Sequence, residues 1–157
     1  MTVFSIDYTG RQADVLAFDG ATQFGEVMLQ QVLAQPDEGG KVTAGIQKLA
    51  QRFLLELLTE QGSILYAPER GTTFMTEARQ GLLNTQLDVC GAFAEALEQI
   101  AVNLIGDEVA TDPPDECFGN ATINSIAVSP GLAKIYVTLT SQAGASRSVL
   151  IPISLNL

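Results

Sequence analysis

The chain has 157 residues, 46% of them apolar, and a formal net charge of −10 from 8 basic and 18 acidic residues. That is one domain's worth of sequence with enough apolar content for a core. Its basic residues (Arg11, Lys41, Lys48, Arg52, Arg70, Arg79, Lys134, Arg147) are scattered, so they form no patch for nucleic acid or for an anionic membrane surface.

Histidine is absent, which removes the commonest general base and the commonest metal ligand. Cys90 and Cys117 lack metal-ligand spacing, and Cys90, on an apolar helix face, reads as a buried small hydrophobe. No apolar run is expected to reach the roughly 18 to 20 residues of a membrane span. The first residues, MTVFSIDYTGRQAD, show no basic segment followed by an apolar one, so no secretory signal is expected and folding is placed in a cytoplasm.

Residues 1–40 read as an extended N-terminal arm. Phe4, Ile6 and Tyr8 alternate with polar residues as in a short strand. Residues 14–18 and 26–29 read as two more strands around a glycine-containing connection, with a short helix over 26–34 as the alternative. Pro36-Asp-Glu-Gly-Gly40 breaks the chain.

Residues 41–157 read as one α+β domain. Over 43–61, Ile46, Leu49, Ala50, Phe53, Leu54, Leu57 and Leu58 repeat at helical spacing, with Glu56 among the polar residues mostly opposite and Gly62 as the stop. Residues 63–74 show neither period; Pro68 and Gly71 predict a structured loop in which Ile64, Tyr66 and Phe74 seek burial. Residues 75–84 read as a short helix or turn. A second long helix is predicted over 85–104, its buried side drawn through Leu87, Cys90, Ala94, Leu97, Ile100, Ala101 and Leu104, widened by Phe93 and Val102. Residues 107–117, with five acidic residues and two prolines, read as a solvated irregular loop. The remainder is β: residues 123–128, a turn at Ser129-Pro-Gly131, an alternating strand over 134–140, and a returning strand over 147–155 whose Pro152 belongs at a sheet edge. The predicted fold is thus two main amphipathic helices on a small, mainly antiparallel sheet ending in a β-hairpin.

No catalytic, cofactor or metal residues are assigned. Glu69 could act as a glycosidase acid, but no second carboxylate is singled out, and Glu69 with Arg70 reads as a structural or interface ion pair. Loop 107–117 lacks the ligand pattern of a calcium loop, and neither Gly39-Gly40 nor Gly71-Thr72-Thr73 makes a phosphate loop.

The run from Gly45 to Phe74, GIQKLAQRFLLELLTEQGSILYAPERGTTF, resembles the baseplate wedge, or sheath-initiator, family of contractile phage tails. In that family an amphipathic helix ends in Leu-Leu-Thr, a Gly follows, and then a Tyr/Phe-x-Pro-x-x-Gly-Thr/Ser loop. Here these are Leu57-Leu-Thr59, Gly62, Tyr66, Pro68 and Gly71-Thr72, with Glu69 and Arg70 between. The resemblance covers about residues 41 to 155. Where the family carries Glu-Pro-Arg before the sheet, this chain has Asp112-Pro-Pro-Asp-Glu116, and nothing is carried over there.

The resemblance implies a structural virion protein of the tail baseplate, assembled in the host cytoplasm in six copies around the tail axis. Its partners would be the tail sheath protein and other wedge and hub or tube proteins. It also implies strand addition on the C-terminal hairpin, through Arg147, Ser148, Val149, Leu150, Ile151, Ile153 and Leu155. Loop 63–74 would brace the helices or meet a neighbouring wedge component. The family has been labelled lysozyme-like, so a peptidoglycan-cleaving tail enzyme is the alternative.

Overall fold

A computed structural model describes residues 14–15, 18–23, 26–31 and 42–155, with side chains from Thr43 onward. The strand expected around Phe4, Ile6 and Tyr8 lies outside these residues. Among the described residues the fold is α+β, with three helices and a three-stranded antiparallel sheet that an N-terminal hairpin extends to five strands.

Helix α1 (Gly45–Leu58) buries Leu49, Ala50, Phe53, Leu54 and Leu57, as its period predicts. It ends earlier than expected. Thr59 turns extended, and both its backbone N–H and its hydroxyl donate to the Leu55 carbonyl, so Gly62 is left for the loop. A short α2 (Phe74–Arg79) follows, with Phe74 and Ala78 buried.

Helix α3 (Gln86–Asp107) opens on a reciprocal cap: the Thr85 hydroxyl accepts from the Asp88 N–H, and the Asp88 carboxylate accepts from the Thr85 N–H. Its buried stripe is Val89, Phe93, Ala96, Ile100 and Leu104. The predicted stripe was turned too far toward solvent: Leu87, Cys90 and Ala94 are exposed. A helix apolar on most of its circumference gives little phase information, and the wide ring of Phe93, edge-on to Phe74 at 5.7 Å, fixes the rotation. By length and composition α3 would also suffice to cross a membrane, which corrects the expectation that no stretch would. A core helix passes the same test.

The sheet is built from β5 (Phe118–Ser129), β6 (Leu132–Ser141) and β7 (Ser146–Ser154), paired in sequence order and antiparallel. Ala133, Ile135, Val137 and Leu139 of β6 and Val149, Ile151 and Ile153 of β7 alternate onto the buried face. Burial of each large apolar side chain is worth roughly 1.5 to 3 kcal/mol. β5 carries two register shifts, which leave Gly119 and Asn124 without partners in the ladder and bend the strand.

Toward the N-terminus, β1 (Asp14–Val15) pairs with β4 (Val42–Thr43), and β2 (Phe18–Gln23) pairs antiparallel with β3 (Glu26–Gln31). Residues 26–31 are therefore strand and not helix, and β2 falls where a connection was expected. β3 lies against the outer side of β7 in parallel, with Met28 registered on Leu150.

Candidate functional site

Two surfaces gather the residues that the sequence singled out: the outer edge of β7, and the loop between α1 and α2 with the face of α3 beside it.

The strand residues divide by direction. Val149, Leu150, Ile151, Ile153 and Leu155 are buried, so their side chains hold the fold and offer a partner nothing. Ser148 is exposed and its hydroxyl meets the Thr138 hydroxyl at 2.7 Å. Arg147 reaches Gln47 Oε1 of α1. What remains for a partner is main chain. On its inner side β7 is registered with β6 from Ser146 to Ser154, while on its outer side, among the described residues, only Leu150 has a registered partner, in the neighbouring β3. Pro152 is exposed and supplies no N–H. The edge expected to be bare is thus partly taken by the chain's own β3.

The loop splits into an anchored half and an outward half. Arg70, Gly71 and Thr72 form the anchor. Glu56, buried on α1, accepts from the Gly71 backbone N–H and from Asn103 Nδ2, each at 3.0 Å, and pairs with the Arg70 guanidinium. Arg70 also donates to Asp107 Oδ2 at 2.7 Å, an oxygen that Arg52 approaches at 3.6 Å. Burial works against the charge of Arg70, but the Asp107 hydrogen bond and the Glu56 carboxylate outweigh it and hold the guanidinium above its ordinary range.

The Thr72 hydroxyl donates to the Leu57 carbonyl, and its backbone bonds to Thr59 and Gln61 complete the attachment. Gly71 has φ 85°, and a Cβ there would collide with the Thr59 carbonyl; only glycine fits. The direct ion pairs of Arg70 are thus with Glu56 and Asp107, and the neighbouring Glu69 carboxylate adds a weaker charge attraction to it.

The outward half is closed at its base by the Gly62 N–H donating to the Pro68 carbonyl at 3.0 Å. On this lobe Leu65 is 97% and Tyr66 94% exposed, so the burial expected for Tyr66 does not occur; Phe74 alone of that trio is fully buried. Beside the lobe, Gln61, Glu69, Glu98, Gln99, Val102 and Asn103 line an open groove of about 330 Å³.

No protein-family model, no curated protein and no solved structure matches this chain.

Loop 107–117 is more ordered than a solvated turn. Buried Glu116 accepts from the Gly45 N–H at 3.0 Å and from Lys48 Nζ at 2.8 Å, so it serves the start of α1, where Ala44 offers no side-chain cap. Glu108 accepts from the Phe118 N–H and from Gln142. Burial, then the carboxylates of Glu108 and Asp112, push the Cys117 thiol up. Cys90 and Cys117 are both free. Among the described residues no three His, Cys, Asp or Glu side chains gather as they would for a metal ion.

Sequence reasoning missed Glu56, Asn103, Asp107 and Glu116. One signal was present: Glu56 stands in Leu-Leu-Glu-Leu-Leu, and a carboxylate carried inward by apolar neighbours requires donors. The partners supplied by Asn103 and Asp107 are set by how α3 crosses α1, which no local pattern records.

Proposed function

We propose that this chain is a structural, non-catalytic protein of a contractile-tail baseplate. In this reading it links the inner baseplate to the first sheath ring, in six copies around the tail axis, and starts sheath assembly by strand addition. The observation that carries the reading is the outer edge of β7, with one registered partner outside among the described residues against a full ladder inside. Unpaired N–H and C=O groups on such an edge are a template for another strand, and β3 already uses it at Leu150. The opposite edge is less suited, because β5 is bulged twice and packs against α3.

The resemblance of residues 45–74 to the wedge family supports the same reading, and the loop gives it a physical form. Gly71 and Thr72 are the residues that the geometry requires, while Tyr66 faces water. The hairpin of β2 with β3 would rest on the edge that sheath strands extend.

Imaging of assembled tail particles tests this. The chain should lie at the junction of baseplate and sheath, with a sheath strand continuing the β5–β6–β7 sheet. A position elsewhere, or a sheath contact made without that edge, would sink the proposal.

The enzyme alternative draws on one feature, the placement of Glu69 and Glu98 on one groove. Both are exposed to solvent. Lysis of cell-wall material by the purified chain, abolished in Glu69→Gln, would favour that reading.

A further inference from the structure

We infer that the groove between the 62–68 lobe and α3 docks an arginine-bearing, apolar-flanked segment of a protein partner. This inference stands on the groove alone and does not depend on a tail location.

The groove seeks hydrogen-bond donors. Glu69 and Glu98 line it, and neither has an ion pair or hydrogen bond among the described residues, although Arg52, Arg70 and Arg79 are each engaged by other carboxylates. Two carboxylates beside about 330 Å³ of open groove suit a planar guanidinium, which presents five donors in a fixed fork.

The flanks are apolar. Val102 forms part of the groove wall, and Ile105 follows it by one helical turn; both are exposed. Leu65 and Tyr66 stand almost wholly in water on the lobe whose two ends, Gln61 and Glu69, line the groove. A fully exposed Leu-Tyr pair on a lobe closed by its own hydrogen bond is a preformed anchor, and the tyrosine ring can stack on a guanidinium plane. Charge selects the class of partner. With a net charge of −10, a second copy of this chain is repelled and a basic segment is attracted.

The test is binding of synthetic dodecapeptides to the full chain, with alternating arginine and leucine in one and glutamate replacing arginine in the other. The arginine peptide should bind, and binding should weaken as salt is raised. Glu69→Gln with Glu98→Gln should weaken it by roughly tenfold, and Tyr66→Ala should weaken it separately. Thermal unfolding should be unchanged in each, because these side chains are exposed. Equal binding by the double variant, a preference for the glutamate peptide, absence of binding at millimolar peptide, or capture by phosphatidylcholine vesicles through Tyr66 instead would each overturn the inference.

Discussion

The carboxylate of Glu56 accepts the backbone N–H of Gly71 at 3.0 Å, so a helix residue fixes the loop fifteen positions later. The same carboxylate holds Asn103 of α3 and the guanidinium of Arg70. One buried charge therefore ties α1, the loop and α3 together. Glu56→Ala strands these donors, and the expected loss is about 3 kcal/mol of unfolding free energy, read as a lower urea midpoint at unchanged slope. Glu69→Ala, on the exposed side of the loop, should stay within about 0.5 kcal/mol of the parent.

Gly71 and Gly62 both have positive φ, 85° and 81°, but differ in surroundings. A Cβ at Gly71 collides with the Thr59 carbonyl, while one at Gly62 meets nothing within 4 Å. Gly62→Ala should cost about 1 to 2 kcal/mol from the backbone alone. Gly71→Ala should cost clearly more in the same urea titration. Equal losses would show that the close approach to Thr59 does not hold in solution.

The cap of α3 gives a pH dependence of defined sign. Hydrogen bonds from the Thr85 side chain, then from the Thr85 backbone, hold the Asp88 carboxyl below its ordinary value. A depressed folded pKa contributes stability above the unfolded value of about 3.9, and that contribution is lost as pH falls through the folded one. Asp88→Asn should therefore be less stable than the parent near neutrality, with the gap closing below about pH 4. Thr85→Ala should cost about 1 kcal/mol near pH 7, visible as a lower midpoint of thermal unfolding.

Much of the fold was legible because local pattern and burial agree. The stripe of α1 and the alternation of β6 each have one clear apolar face, so Leu49, Phe53, Ile135 and Val137 fall where periodicity places them. Helix α3 was legible as a helix but not in its rotation, since Leu87 and Val89 are equally apolar on paper and only tertiary packing with Phe74 and the sheet separates them. In the loop, the glycine at 71 was readable as a turn residue. The exposure of Tyr66 was not, because an aromatic ring ordinarily argues for burial. The groove residues Glu98 and Gln99 carried no signal at all: they are two polar positions on a long helix, made notable only by the lobe that stands beside them.

Glu116 is a long-range contact of the same kind, capping α1 from a distance of 71 positions. Glu116→Ala removes the acceptor of the buried Gly45 N–H and a partner of Lys48. The expected loss is about 2 to 3 kcal/mol. Amide exchange should quicken in the first turn of α1 and leave the first turn of α3, which has its own cap, unchanged.

The C-terminal strand cannot be removed to test its role. A chain lacking residues 147–157 loses Val149, Ile151, Ile153 and Leu155 from the core together with all of the β7 partner of β6 except Ser146. It should show no cooperative unfolding transition.

Strand addition at β7 is instead tested most directly by amide hydrogen exchange across Ser146–Ser154, in the isolated protein and in tails assembled with sheath. In isolation, β6 amides should exchange slowly, and β7 amides that face away from β6 should exchange fast except beside Leu150; on sheath assembly those fast amides should become protected. Outward β7 amides that are already slow in isolation, or that stay fast in the assembled tail, would contradict the account.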